Sequence, residues 1–145
     1  MREDIGNLWT YPADAVVITT NGFVKKNGEV VMGRGCALEA AIKWPNLPKW
    51  IGQAIEDYGN HVFAFRRDIG NLKIFTMPVK HHWREKADIK LIKRSAEELT
   101  AEVNAWGYKT VVMPRPGCGN GQLDWEDVKP VLEEILDDRF VAITF

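Results

Sequence analysis

"MPRPGCGNGQLDWEDV", Met113 to Val128, passes from an apolar run through two prolines and then three glycines in five residues, Gly117 to Gly121. Ordered glycine costs chain entropy, so its clustering here signals a backbone that must come close to something a Cβ would obstruct. The run before it, "TVVMP", reads as a buried strand. "WEDVKPVLEEILDD" after it reads as a helix that continues despite Pro130. A strand that feeds a helix through a glycine-rich loop is the unit from which open α/β sheets build their ligand sites.

Working outward, the same alternation recurs. "DAVVITT" (Asp14 to Thr20) is a β-branched run that reads as a strand buried on both faces, and the loop Asn21 to Gly35, "NGFVKKNGEVVMGRG", follows it. Helical spacing begins at Cys36 and ends before Pro45, and "LPKWIGQAIEDYG" predicts a second helix that stops at Gly59. "HVFAFRRD" and "LKIFTMPV" read as a hairpin turning near Gly70 and Asn71. Between Asp88 and Trp106, Ile89, Ile92, Leu99 and Val103 form one apolar stripe, with Gly107 as the stop. "FVAITF" is the last strand. The order implies an α/β fold with a mixed, mostly parallel sheet, and a single domain over residues 1–145 without repeats or low-complexity linkers.

The 145 residues, 46% apolar and 27% charged, suffice for one core. With 19 basic and 20 acidic side chains the net charge is −1, which excludes the basic field of a nonspecific nucleic-acid binder but not local contact with a DNA or RNA end. Cys36 and Cys118 lie far apart in glycine-rich contexts and read as reduced thiols. "MREDIGNLW" has no apolar signal core, and no window approaches the roughly 18 apolar residues of a membrane span. The expectation is a complete, cytoplasmic chain with no membrane partner.

In an open α/β sheet, ligands sit beyond the carboxyl ends of the strands. Asn21 to Gly35 and Arg115 to Gly121 both lie there, each ahead of a helix start whose free N–H groups and positive dipole end suit phosphate. Two such loops on one crevice suggest a diphosphate; separately, each also reads as a turn that caps a helix. Gly33 to Cys36 does not complete the GxGxxG dinucleotide pattern, and "GCGNG" lacks the GK[ST] ending of a nucleotide-hydrolysing loop.

"GNLW", "ADAVVITTNG", "VMGRGCAL", "MPVKHHWR" and "MPRPGCGNGQLDWEDV", in this order and with the closing "VAITF", resemble the macrodomain family, in its branch of DarG-like proteins and terminal ADP-ribose glycohydrolases. The resemblance spans nearly the whole chain. It implies a three-layer α/β/α sandwich that binds ADP-ribose through two loops around the diphosphate, and removal of ADP-ribose from a modified partner. By the same resemblance Asn7 and Leu8 fall at the adenine contact, often with Asp in place of Asn7, and Asn21 falls at the distal ribose with a catalytic share. Gly33, Arg34 and Gly35 form the first phosphate loop, and Pro116, Gly117, Cys118, Gly119, Asn120 and Gly121 the second. Phe145 flanks the adenine ring, or else is a core aromatic at a strand end. Val79 stands where threonine is usual, "FVKKNGEV" is longer than in the short-loop members, and Gly121 replaces the acidic residue of the terminal glycohydrolases.

Lys80 ends the strand "IFTMPV", and the resemblance makes it the catalytic residue that engages the anomeric carbon of the distal ribose. An amine attacks only when neutral, so the site must favour that form by desolvation or by nearby positive charge, for which His81, His82, Arg84 and Arg115 are the candidates. Asp124, the nearest carboxylate in sequence, reads as a helix N-cap. The histidine pair points its rings oppositely on an extended chain and has no metal-ligand cluster around it; neither metal nor cofactor is expected. Cys118 reads as small rather than nucleophilic. The tryptophans at 44, 50, 106 and 125 read as packing residues, whereas Trp83 suits the entrance beside Lys80.

Three functions fit: an ADP-ribosyl glycohydrolase acting on modified DNA or protein, a reader that binds ADP-ribose without turnover, and a phosphatase on ADP-ribose 1″-phosphate. Such proteins often carry a further domain after the macrodomain; a chain stopping at Phe145 is expected to be a monomeric stand-alone eraser or an antitoxin-like partner.

Overall fold

The computed structural model describes residues 1–66 and 73–144. The expected turn at Gly70 and Asn71, and Phe145, lie outside the described residues. Strands β1 (Arg2–Ile5), β2 (Ala15–Thr20), β3 (Ala64–Arg66), β4 (Lys73–Pro78), β5 (Val111–Met113) and β6 (Phe140–Thr144) form one sheet in the order β1-β6-β5-β2-β4-β3. Among the described strands of this sheet, only the β3–β4 pair is antiparallel. The helices are α1 (Gly35–Lys43), α2 (Leu47–Tyr58), α3 (Ile89–Trp106) and α4 (Trp125–Glu133).

Alternation along the inner strands divides the core into two layers. Val17, Phe75, Met77, Met113 and Phe140 face α3 and α4, meeting Ile92, Leu99, Val103 and Leu132. Val16, Ile18, Ile74, Val112 and Val141 face α1 and α2, meeting Ala40, Trp44, Leu47 and Ile51. Both sides of the sheet are therefore covered, which is why "AVVI" is apolar without a break. The result is the expected α/β/α sandwich.

Helix boundaries follow local chemistry. Pro45 lies just past α1 and Pro48 in the first turn of α2, where no intrahelical N–H is needed. Asp88 caps α3 by accepting from Lys90 N–H at 2.9 Å, and Gly107 closes it in the left-handed region at φ 72°.

One expectation is corrected, and one strand appears that the sequence reading did not address. Helix α4 tolerates Pro130 but ends at Glu133 rather than running to Asp138: the Ile135 and Leu136 N–H groups both turn back to Leu132 O, which returns Leu136 to the core. The N-terminal "REDI" is an edge strand although it carries no apolar pattern. All four residues are exposed, and its register on β6 comes from backbone pairing and from Glu3, which bonds Lys129 Nζ at 2.6 Å and Trp125 Nε1 at 2.8 Å. Charged edges of this kind discourage pairing with other chains.

Candidate functional site: a cleft at the strand ends

Because β6, β5, β2 and β4 are parallel neighbours, their carboxyl ends open along one edge, and the chain leaving three of them shapes one cleft of about 1060 Å³. β2 leads into the loop 21–35, β5 into the loop 114–124, and β4 directly into Lys80. The walls carry Leu8, Asn21, Gly33, Arg34, Gly35, Val79, Lys80, Gly117, Cys118, Gly119, Asn120 and Gly121, all expected from the sequence.

The two glycine loops face each other: a Cβ on Gly35 would lie 4.0 Å from Asn120 Nδ2. Gly33 and Gly35 hold positive φ on either side of an extended Arg34, a backbone shape that L side chains disfavour. Among the described residues, the N–H groups of Gly33, Arg34 and Gly35 and of Gly119, Asn120 and Gly121 make no hydrogen bond. Added Cβ atoms on Gly33 or Gly119 would meet open space, whereas one on Gly121 would fall 2.4 Å from Gly117 O. Gly119 therefore leaves room in the cleft, while Gly121 is required by the turn itself. No acidic side chain can be placed at 121 without moving the loop.

The two loops are not equivalent as dipole ends. Arg34 gives α1 no side-chain cap, so that helix start remains open. Helix α4 begins with Glu126 and Asp127 in its first turn, which repel an anion. Anion binding at the second loop falls to the turn's own N–H groups, a correction to the view that both helix starts serve equally.

Asn21 is 7% exposed, and its amide staples the first loop: Nδ2 donates to Val31 O at 2.7 Å and Oδ1 accepts from Phe23 N–H at 2.9 Å. Lys80 Nζ donates to Asn120 O at 3.1 Å and Trp83 O at 3.4 Å. Those two acceptors fix two tetrahedral directions of the nitrogen and leave one for a third proton or a lone pair. The lysine's backbone is braced from behind, since Asn60 Nδ2 donates to Lys80 O at 3.1 Å. Asn60 was not singled out in the sequence, because a residue 20 positions away carries no local signal.

Of the cations expected near Lys80, His81 is bonded to Asp88 at 2.9 Å and Arg115 is paired with Glu3 at 3.7 Å and lies over the Trp125 ring. The His81 bond holds the Asp88 carboxyl below its usual range. Arg84 stacks over Trp83. Burial pushes the Cys36 and Cys118 thiols up, which opposes a thiolate nucleophile. Among the described residues, no three His, Cys, Asp or Glu side chains gather as a metal site.

Several expectations shift. Asn7 is not on the cleft wall; its Oδ1 accepts from Trp9 N–H at 2.8 Å and shapes the turn that presents buried Leu8. Pro116 supports the second loop from beneath, its carbonyl accepting from Cys118 Sγ at 3.4 Å. Asp124 stands at the N-cap of α4 but its side chain makes no cap bond, and the residue lines the cleft. Trp125, read as packing, is on the cleft wall. Thr19, Met32, Glu39, Glu85 and Thr144 also line the cleft, brought there by the tertiary fold from strands, a helix and loops far apart in the chain.

A sequence model of the Macro domain family matches residues 64–132. The DNA ADP-ribosyl glycohydrolase of Thermus aquaticus is 29% identical over 139 residues, 91% of this chain and 36% of the relative. That of Mycobacterium tuberculosis is 31% identical over 130 residues, 86% of this chain and 35% of the relative. The chain thus spans about a third of the length of these curated relatives. The solved macrodomain of Mycobacterium tuberculosis DarG superposes with a TM-score of 0.84 at 27% identity, covering 98% of this chain and 95% of that one. Sheet order, paired glycine loops, strand-end lysine and these likenesses agree: the chain has the macrodomain fold and is similar in sequence and structure to DarG macrodomains.

Proposed function

We propose that this chain binds ADP-ribose in the strand-end cleft and hydrolyses its bond to a modified macromolecule, with Lys80 as the catalytic amine. The carrying observation is the juxtaposition of two opposed loops with unpaired N–H groups and a lysine amine tied to one of them through Asn120 O. Leu8 lies on the wall as an adenine contact, the loops Gly33 to Gly35 and Gly117 to Gly121 hold the diphosphate, and Asn21 with Val79 borders the distal ribose. The amine attacks the anomeric carbon, the bond to the acceptor breaks with a proton passing to the departing group, and water then releases the sugar from the lysine. Relatives named DNA ADP-ribosyl glycohydrolases favour a DNA acceptor.

Incubation with ADP-ribosylated DNA and, separately, ADP-ribosylated protein, scored by release of free ADP-ribose, tests the reading. Release by the parent and its loss in Lys80→Ala are expected, with a ribose–lysine adduct trapped by borohydride on the peptide "MPVKHHW". A second reading, a reader without turnover, is favoured by the two carbonyls that hold Lys80 as a structural tie. It takes over if the parent binds ADP-ribose and releases none from either substrate.

A further inference from the structure

Asn60 lies in the chain between α2 and β3 and does not line the cleft. We propose that it is a positioning residue for the hydrolysis: its amide, clamped on α3, fixes the backbone of Lys80 and the spacing between Lys80 and Asn21, and so sets the rate of attack on the anomeric carbon without touching ADP-ribose. The inference rests on the hydrolase reading of the cleft.

Lys80 leaves the sheet at a fork. Among the described residues the last backbone bond between the chains of β2 and β4 runs from Val79 N–H to Thr20 O at 2.9 Å, after which Asn21 enters the first loop and Lys80 sends its side chain to the second. The Asn60 amide fills that fork. Its Nδ2 donates to Lys80 O at 3.1 Å, and a Cβ built on Gly22 would lie 2.7 Å from the same nitrogen and 3.1 Å from His81 O. One side chain therefore packs against the backbone just past Asn21 while bonding that of Lys80, the two residues assigned to the distal ribose.

Such a wedge sets position only if it is itself fixed, and α3 fixes it. The Asn60 carbonyl accepts from the Arg94 guanidinium. Glu98, one turn further along α3, accepts from Val62 N–H at 2.9 Å, lies 2.8 Å from His61 Nδ1 and pairs with Arg94 Nε at 3.4 Å. The strand end is held from the same side. The carbonyls of Pro78, Val79 and Lys80 accept in turn from Ser95 Oγ at 2.7 Å, Asp88 N–H at 2.9 Å and Asn60 Nδ2, and none of these donors belongs to the sheet. The root of the lysine is thus placed from α3, whereas its tip is placed by Asn120 O and Trp83 O. A reacting group displaced by about 1 Å can lose roughly a hundredfold in rate, so a loosened root slows the chemistry while the glycine loops and the Leu8 wall still bind ligand.

The test compares the parent with Asn60→Ala and Arg94→Ala, each alone and combined with Lys80→Ala. Calorimetry reads the affinity for free ADP-ribose, and single-turnover assays read its release from whichever modified substrate, DNA or protein, the parent cleaves. Asn60→Ala should bind ADP-ribose within about threefold of the parent and release it about tenfold or more slowly. Arg94→Ala, a change at a partly exposed side chain outside the cleft, frees the Asn60 carbonyl and should show the same pattern at about two- to threefold. In the Lys80→Ala background neither substitution should lower the residual rate by more than about twofold, because a residue that acts through the lysine has nothing left to position. A general loosening of the fold would instead lower that residual rate by the same factor as in the parent. Parent-like release in every variant that folds overturns the inference, and so do losses that persist without Lys80 or that equal the loss in ADP-ribose affinity. Should Asn60→Ala not fold, Arg94→Ala carries the same comparison. A parent that releases nothing removes the hydrolase reading and this inference with it, a case the parent's own assay separates from an active parent with unaffected variants.

Discussion

At the scale of single residues the cleft separates groups that carry chemistry from groups that carry shape. Lys80→Ala leaves both glycine loops and the Leu8 wall in place. Calorimetry should therefore find ADP-ribose affinity within a few-fold of the parent, while release from modified substrate falls at least about a hundredfold, the loss expected for one positioned catalytic group. Asn21→Ala should behave differently, because its amide holds Val31 and Phe23 before any ligand arrives. Loss of a buried amide with two partners costs about 1–3 kcal/mol, so urea unfolding and ADP-ribose binding should both suffer. The glycines divide in the same way. Gly119→Val adds a side chain into open space and should fold with the parent's Tm yet lose ADP-ribose binding; normal binding would show that this loop is not the phosphate cradle. Gly121→Ala meets Gly117 O at 2.4 Å and should instead destabilise the fold by roughly 1–3 kcal/mol.

Elements position these residues through a few long-range ties. The first loop rests on α2 through Val30 N–H to Pro48 O at 3.0 Å, and a Cβ on Gly52 would lie 2.0 Å from Gly28 O. Alanine is better than glycine in a helix by about 1 kcal/mol, but a backbone overlap this deep outweighs that preference. Gly52→Ala should lower both Tm and ADP-ribose affinity from a site outside the cleft, by pushing the first loop off its support. The segment after Lys80 returns to the second loop through Ala87 N–H to Gly121 O at 2.9 Å, and Asp88 then caps α3. The hydrogen bond from His81, assisted by backbone N–H groups, lowers the Asp88 carboxyl below its unfolded value. A depressed carboxylate contributes stability above its unfolded pKa and loses it as pH falls through the folded one. Asp88→Ala should cost about 1 kcal/mol near neutral pH, measured by urea unfolding, and the difference from the parent should close on the acid side, below pH of about 4.

For the whole molecule, a ligand that binds only the folded chain stabilises it by RT ln(1 + [L]/Kd), about 2.7 kcal/mol at a hundredfold excess over Kd. With ADP-ribose at that excess the Tm should rise by roughly 5–10 °C, and Gly119→Val should show no such rise while keeping the parent's Tm without ligand. Among the described residues no helix is long and apolar enough to cross a membrane.

Much of the fold was legible in the chain because its signals are local. Unbroken β-branched runs mark strands covered on both faces, proline and glycine mark helix ends, and glycines in strand-to-helix loops mark a backbone held open for a ligand. These determined the α/β class, both glycine loops and the strand-end position of Lys80. The edge strand Arg2–Ile5 escaped notice because an edge exposed on both faces needs no apolar pattern. Tertiary structure alone decided which strand ends meet. Asn60 braces Lys80, Trp125 and Asp124 line the cleft, and Phe23 reaches His82 because the parallel order β5-β2-β4 brings together loops far apart in the chain. Spacing along a chain encodes the faces of a strand or helix, whereas contact across a sheet depends on strand order and register, which the packing of the two core layers sets.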